Sequence, residues 1–421
     1  MHKHLYSTRL KELRALVKEQ DLSRLSRRLL DLFADVELPP ALRKRAIGLR
    51  ASYNAFVQLG QEAHTHADWE EMYAEALELV EAVGAALAQL PEPVAPEAVP
   101  AAPSAEMLLR RPVFEGRGIT KVFRTAKHSF RLPEIDLELN LGEITGVVGE
   151  NGNGKTTLLR IVAGDLQISG GKLRYPAFEV PEGDWYRIKQ HIAFIPQHLP
   201  AWNGFLKENL HFTAAIHGIK GRENEERVDF VIHRLGLTKY EDALWSEISS
   251  GYKLRFELAR ALVWHPRLLI IDEPLANLDI NTQQVFLQDL RYLAKSSLNP
   301  ISILLSSQHL HELESIADNI LFIKNGEILY NGKMKDFGKD RKENLFEIGT
   351  AASKASLMEA LQQLKGLRIE DHGQTKTIHT PVNTEAGKLL QLLVDANITV
   401  NYFRDISTST LKLFRQNASK T

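Results

Sequence analysis

The stretch EITGVVGENGNGKTTLLRIVAG, residues 143–164, decides how the rest of the chain is read. Gly149-x4-Gly154-Lys155-Thr156 within it is a P-loop pattern. Its surroundings are the ones the pattern requires, because apolar ITGVV reads as a buried strand and TTLLRIVAG as the helix that follows. Gly149, Gly152 and Gly154 let successive backbone N–H groups face one concavity, and a helix N-terminus adds partial positive charge there. Such a cradle binds phosphate, so a nucleotide is the expected ligand. Lys155 is expected to reach the β- and γ-phosphates, and the Thr156 hydroxyl to bind Mg²⁺. Asn151 and Thr157 complete the candidate binding loop.

A second stretch, RLLIIDEPLANLD at 267–279, supplies the acids. Four apolar residues ending in Asp272 describe a buried strand whose carboxylate emerges at its C-terminal end. In P-loop folds such an aspartate holds the magnesium, often through water. Glu273 follows directly, placed to polarise an attacking water as a general base.

With these residues in place, the chain resembles an ATP-binding-cassette (ABC) ATPase across 113–335. The resemblance rests on GENGNGKTT, FIPQ ending in Gln197, ISSGYKLRFELARAL at 248–262, IIDEP, and NLD ending in Asp279, in that order. It implies an α/β fold, a P-loop cassette with a helical insert, and hydrolysis of ATP with Mg²⁺. It implies that Gln197 joins Thr156 and Asp272 at the metal. It also implies a head-to-tail dimer with a second cassette, in which Ser249 and Gly251 contact the γ-phosphate bound by the opposite subunit, and it adds Asp279 to the nucleotide-binding candidates. Phe123, in ITKVF, resembles the aromatic residue that stacks on adenine, although a Phe after Val122 also reads as core. The signature departs from the family pattern, with Ser250 and Tyr252 standing where a glycine and a glutamine are usual.

In SSQHLHELESIAD, residues 306–318, two residues compete for the place of the family's switch histidine. An Ala-Asp pair follows the switch with its Asp ten residues on. Here that pair is Ala317-Asp318, which puts Gln308 at the switch. His309 then reads as a solvated helix-start residue. Gln308 can donate to and accept from a γ-phosphate or water but carries no titratable proton.

The remaining chain sets the frame. Its 421 residues suffice for several domains, and 44% hydrophobic with 25% charged residues is ordinary for a soluble protein. Net charge is −1, so nucleic acid is not an expected partner. The chain has no cysteine, which excludes disulfides and thiol chemistry and suits a reducing cytosol. MHKHLYSTRLKELR lacks a signal-peptide core, and no apolar run approaches the roughly 18 residues of a membrane span.

Residues 1–90 read as a helical module, with Leu10, Leu13, Val17, Leu22, Leu25, Leu29 and Leu32, then Trp69, Tyr73, Leu77, Val80 and Leu87, at helical steps. Residues 1–60 carry 12 Lys/Arg against 6 Asp/Glu, while 61–106 carry 10 Asp/Glu and no Lys/Arg, so an acidic last helix is expected beside basic earlier ones. A basic face for anionic lipid or a partner is the alternative. PEPVAPEAVPAAPSAE, residues 91–106, reads as an extended spacer of about 50 Å that tethers this module to the cassette at 107–338. The helical insert is expected at about 198–262. Residues 339–421 form an accessory domain in which βαββαβ order predicts a ferredoxin-like fold.

Two functions follow. In the first, the chain is the ATPase subunit of a separate membrane permease. It would be cytoplasmic and peripheral at the membrane, and an exporter, because its C-terminal domain resembles the one appended to exporter-type ATPases whose permease is a separate polypeptide. In the second it is a soluble ATP-driven switch whose N-terminal helices recruit an effector.

Overall fold

The structure is a computed structural model, and it describes residues 2–36, 38–59, 66–90, 112–124, 129–276, 278–296, 299–324, 326–337, 343–364, 366–373 and 375–406. The spacer 91–106, the expected domain limits at 107 and 338–339 and the tail beyond 406 lie outside these residues. Contacts divide the chain into two compact units, Met1–Ser307 with Ile323–Ile328, and Gln308–Phe322 with Leu329–Thr421.

In the first unit, four helices form the N-terminal module: α1 (His2–Lys18), α2 (Leu22–Asp35), α3 (Pro40–Leu59) and α4 (His66–Gln89). Asp21 caps α2 by accepting the Arg24 N–H at 2.9 Å. Pro40 opens α3, where its missing N–H has no helical partner to lose. Leu13, Val17, Leu22, Leu25, Leu29 and Leu32 are buried as their spacing predicts. Leu77 is not, since it is 47% exposed and Ala76, Leu79, Val80 and Val83 carry the buried stripe of α4. The charge halves meet as expected, Arg14 with Glu81 at 2.8 Å and Arg45 with Glu78 at 3.5 Å. These pairs are exposed and contribute little to stability.

The cassette begins with an antiparallel sheet of β1 (Pro112–Arg124), β2 (Ser129–Asn140) and β4 (Gly170–Arg174), in the order β2-β1-β4. Its catalytic sheet is parallel. β3 (Ile144–Val148), β5 (Ile192–Ile195), β6 (Leu268–Ile271) and β7 (Ser302–Ser307) run in the order β5-β6-β7-β3. β3, β6 and β7 are buried along their whole length, which is what helices on both faces demand of a parallel sheet. Helix α5 (Lys155–Val162) follows β3, α6 (Trp185–Lys189) precedes β5, and α10 (Ile280–Ala294) links β6 to β7. Between β5 and β6 lies the helical insert of α7 (Leu206–Ile216), α8 (Gly221–Arg234) and α9 (Ser250–Leu262).

The N-terminal module is seated on this cassette. Helices α2 and α3 pack against α8. Asp31 on α2 pairs with Arg234 on α8 at 2.7 Å, and Arg28 lies 3.0 Å over the Tyr292 ring of α10. The reading of a merely tethered module is corrected, because the bundle carries its own ionic and aromatic interface whatever the composition of the spacer.

The second unit contains α11 (Leu310–Leu313) and parts of β8 (Asn319–Lys324) and β9 (Glu327–Lys333), followed by the accessory domain. That domain runs β10 (Glu343–Gly349), α12 (Lys354–Ala360), β11 (Arg368–Asp371), β12 (Thr375–Pro381), α13 (Ala386–Asp395) and β13 (Tyr402–Asp405). Its sheet order is β11-β12-β10-β13 with every neighbour antiparallel, the ferredoxin-like arrangement. Phe346, Ile348 and Ile378 meet Leu357, Leu361, Leu389 and Leu393 in its core. The last strand is shorter than the stretch ITVNYFRD predicts, since Ile398 and Val400 pack on that core outside the ladder.

Candidate functional site

The loops at the C-terminal ends of the parallel strands converge, as the crevice rule for α/β sheets requires. The Gly149 N–H donates to the Ser307 carbonyl at 3.2 Å, tying the start of the P-loop to the end of β7. A Cβ on Gly149 would stand 2.4 Å from the Ile323 carbonyl oxygen, so only glycine fits. Gly154 has φ 90° and caps α5. A Cβ there would also meet Leu132 Cδ1 at 2.7 Å and Phe130 Cζ at 2.8 Å.

Five candidate residues are brought into one network. The Lys155 ammonium donates to the carbonyls of Gly149 at 2.7 Å and Glu150 at 3.2 Å, and lies 2.9 Å from Glu273 Oε1. Gln197 Nε2 donates to Glu273 Oε2 at 2.9 Å, and Thr156 Oγ1 donates to Asp272 Oδ2 at 2.7 Å. Lys155, Asp272 and Glu273 are all buried. Glu273 holds φ 46°, an unfavourable value for a residue with a Cβ, two residues past the end of β6.

Two residues of this neighbourhood were not read from the sequence. Ser306 donates to Asp272 Oδ1 at 2.6 Å and accepts the Glu273 N–H at 2.8 Å, so one hydroxyl orients both acids. The available signal was a serine pair, Ser306-Ser307, ending an apolar strand, and both are buried. Phe130 is the aromatic side chain against Gly154, and its ring lies 6.2 Å from that of Phe123. Phe123 itself is 38% exposed, with the Lys121 ammonium 5.1 Å from its ring. It is therefore a surface aromatic rather than core.

The other candidates sit elsewhere. Ser249 is the N-cap residue of α9 with no side-chain capping bond. A Cβ on Gly251 would touch Thr282 and Leu278 at 3.4 and 3.6 Å, so the start of α9 lies against the segment around Asp279. Asp279 caps α10, accepting from Thr282 N–H at 3.0 Å and Thr282 Oγ1 at 2.6 Å, and those bonds hold its carboxyl below the ordinary range. Tyr252 packs on Tyr240 with ring centroids 4.2 Å apart and beneath Arg255. Gln308 is the half-buried residue immediately after β7. His309 is the exposed N-cap of α11, 5.4 Å from the ring of His311, in keeping with the helix-start reading.

A family model described as ABC transporter matches residues 132–276. The methionine import ATP-binding protein MetN of Halalkalibacterium halodurans is 31% identical over 237 residues, 54% of this chain and 68% of that protein. The chain belongs to the ATP-binding-cassette family. The ABC transporter ATP-binding protein NatA of Bacillus subtilis is a further relative, 28% identical over 218 residues, which is 50% of this chain and 86% of that protein. As an ABC ATPase the chain hydrolyses ATP with Mg²⁺. The donor set fits that ion, because the Thr156 hydroxyl, the Asp272 carboxylate and the Gln197 amide are hard oxygen ligands on adjoining loops. When bound, magnesium neutralises charge on the β- and γ-phosphate oxygens.

Proposed function

We propose that Lys155 binds the β/γ-phosphates, that Thr156, Asp272 and Gln197 hold Mg²⁺, and that Glu273 is the general base. The Lys155–Glu273 ion pair supports the assignment, since it places the cation for phosphate beside the carboxylate for water. Gln308 is the γ-phosphate sensor on the register of Ala317-Asp318. Gly149, Asn151, Gly152, Gly154 and Thr157 complete the loop, and Phe123 is the adenine platform. Ser249, Gly251 and Asp279 act on nucleotide held by a second cassette in a head-to-tail dimer. A serine hydroxyl with a helix N-terminus behind it suits an anion.

The dimer powers a separate membrane permease. The observation that carries this reading is the exposed apolar side chains of the helical insert, Phe212 at 66% and Ile216 at 63% one turn apart on α7, with Phe205 and Leu244 also exposed. Among the described residues no helix is long and apolar enough to cross a membrane, so the pathway belongs to the partner. Export is the direction proposed, on the appended βαββαβ domain, while MetN relatives are import proteins by name.

Replacing Phe212 and Ile216 together by Glu should release the chain from a multi-span partner purified from its own cells, with basal ATP hydrolysis unchanged. Retention of the partner would remove this surface from the reading. ATP-driven flux in inside-out and right-side-out vesicles of the purified complex then decides direction.

A further inference from the structure

The ATPase needs two parts of the cassette in register, the core with the P-loop and the insert with the signature helix α9. The N-terminal bundle touches both. On the core side, Arg28 of α2 stacks on Tyr292 of α10 at 3.0 Å, and Tyr292 donates its hydroxyl to Glu12 of α1. One turn further along α2, Asp31 accepts from Arg28 NH1 at 2.7 Å. Asp31 also accepts from Arg234 Nε at 2.8 Å, and Arg234 closes the helix α8 that packs on α9. Core helix and insert helix are thus linked through two side chains of a module that lies outside the cassette.

The linkage is buried rather than decorative. The side chains of Arg28, Asp31 and Arg234 are 8%, 9% and 13% exposed. Burial alone would raise the Asp31 carboxyl, yet the charges of Arg234 and Arg28 and their hydrogen bonds hold it below the ordinary range. Exposed pairs rearrange freely, whereas a buried carboxylate bonded to two guanidinium groups fixes direction as well as distance. Asp279 is the N-cap of the same α10, and Ser249 that of the same α9.

We propose that Arg28 and Asp31 are positioning residues for ATP hydrolysis: the relay Tyr292–Arg28–Asp31–Arg234 braces the helical insert against the catalytic core and thereby sets the position of the signature helix. The proposal rests on the reading of Ser249 and Gly251 as the signature. ATP binding to the P-loop does not pass through the relay, while the step that requires the signature does.

The test uses the full chain. Asp31→Asn should lower kcat about tenfold, as small misplacements of reacting groups do, and leave the ATP Kd within about twofold. Tyr292→Leu keeps the ion pairs and cuts the relay at its core end, so it should give the same loss, and Asp31→Glu should restore most of the rate. Links in series are not additive, so the double variant should lose about tenfold and not about a hundredfold. Multiplying losses, or kcat within about twofold of wild type in both single variants, would overturn the proposal.

A second readout does not depend on activity. The chain has no cysteine, so spin labels on Arg222→Cys and Gln284→Cys, in labelled chain diluted with an excess of unlabelled protein to suppress pairs across a dimer, report the distance from α8 to α10. That distribution should broaden in Asp31→Asn, and an unchanged distribution would equally overturn the brace. Ser249→Ala tests the signature reading separately, since a wild-type rate there would sink that reading while the label distances still report on the relay.

Discussion

Lys155 and Glu273 are each other's counter-charge, with Nζ 2.9 Å from Oε1 and both side chains buried. Phosphate oxygens entering the loop compete with Glu273 for the same ammonium. Glu273→Gln removes that competitor and the base together. It should bind ATP about fivefold more tightly, about 1 kcal/mol of relieved repulsion, while turnover falls by about a hundredfold or more. Lys155→Ala should hydrolyse no ATP. Calorimetry and steady-state turnover check both, and wild-type turnover in Glu273→Gln would remove it as the base.

Phe123 and Phe130 divide two roles. Phe123→Ala should cost roughly 1–3 kcal/mol of ATP binding, the worth of a base–aromatic stack, with little change in Tm. Phe130 packs on Gly154, so Phe130→Ala should lower Tm as well as affinity. Wild-type ATP affinity in Phe123→Ala would transfer the platform to another side chain.

Gln308→Ala should slow hydrolysis strongly, and His309→Ala should leave it within a few fold of wild type, given the exposed N-cap position of His309. A glutamine sensor adds no titration near pH 6.5, so Gln308→His should introduce a pH dependence of kcat in that range that the wild type lacks. The reverse pattern between the two alanine variants would hand the role to His309.

His265, at φ 56° after α9, has its pKa pushed down to about 4 by burial first and then by Arg227 and Arg234. The folded state keeps the imidazole neutral, while the unfolded chain takes up a proton near the ordinary 6.5. The unfolded state therefore binds more protons between those values. Its contribution to stability is full above pH 6.5 and is lost as pH falls toward about 4. His265→Gln should lose less Tm between about pH 7 and pH 5 than the wild type. Equal slopes in a thermal melt series would mean that other groups set the acid response.

The P-loop, the strand leading into it and the Asp272-Glu273 pair were determined by the sequence alone. Their reasons are local: glycine dihedrals, a lysine and threonine at fixed offsets, an apolar run ending in acids. The accessory domain's element order was legible as well, since its strand and helix segments alternate as βαββαβ, whereas the pairing order β11-β12-β10-β13 comes from the tertiary structure. Ser306 and Phe130 became functional neighbours only in three dimensions, because their partners lie 34 and 24 residues away and no periodicity links them. Arg28 and Asp31 make the sharpest case. On the sequence they are ordinary charges of an amphipathic helix, indistinguishable from solvated ones. Whether such a charge is solvated or bonded depends on what surface covers it, here Arg234, 203 residues along the chain, and burial of that kind is decided by tertiary packing and not by the residue's own neighbours.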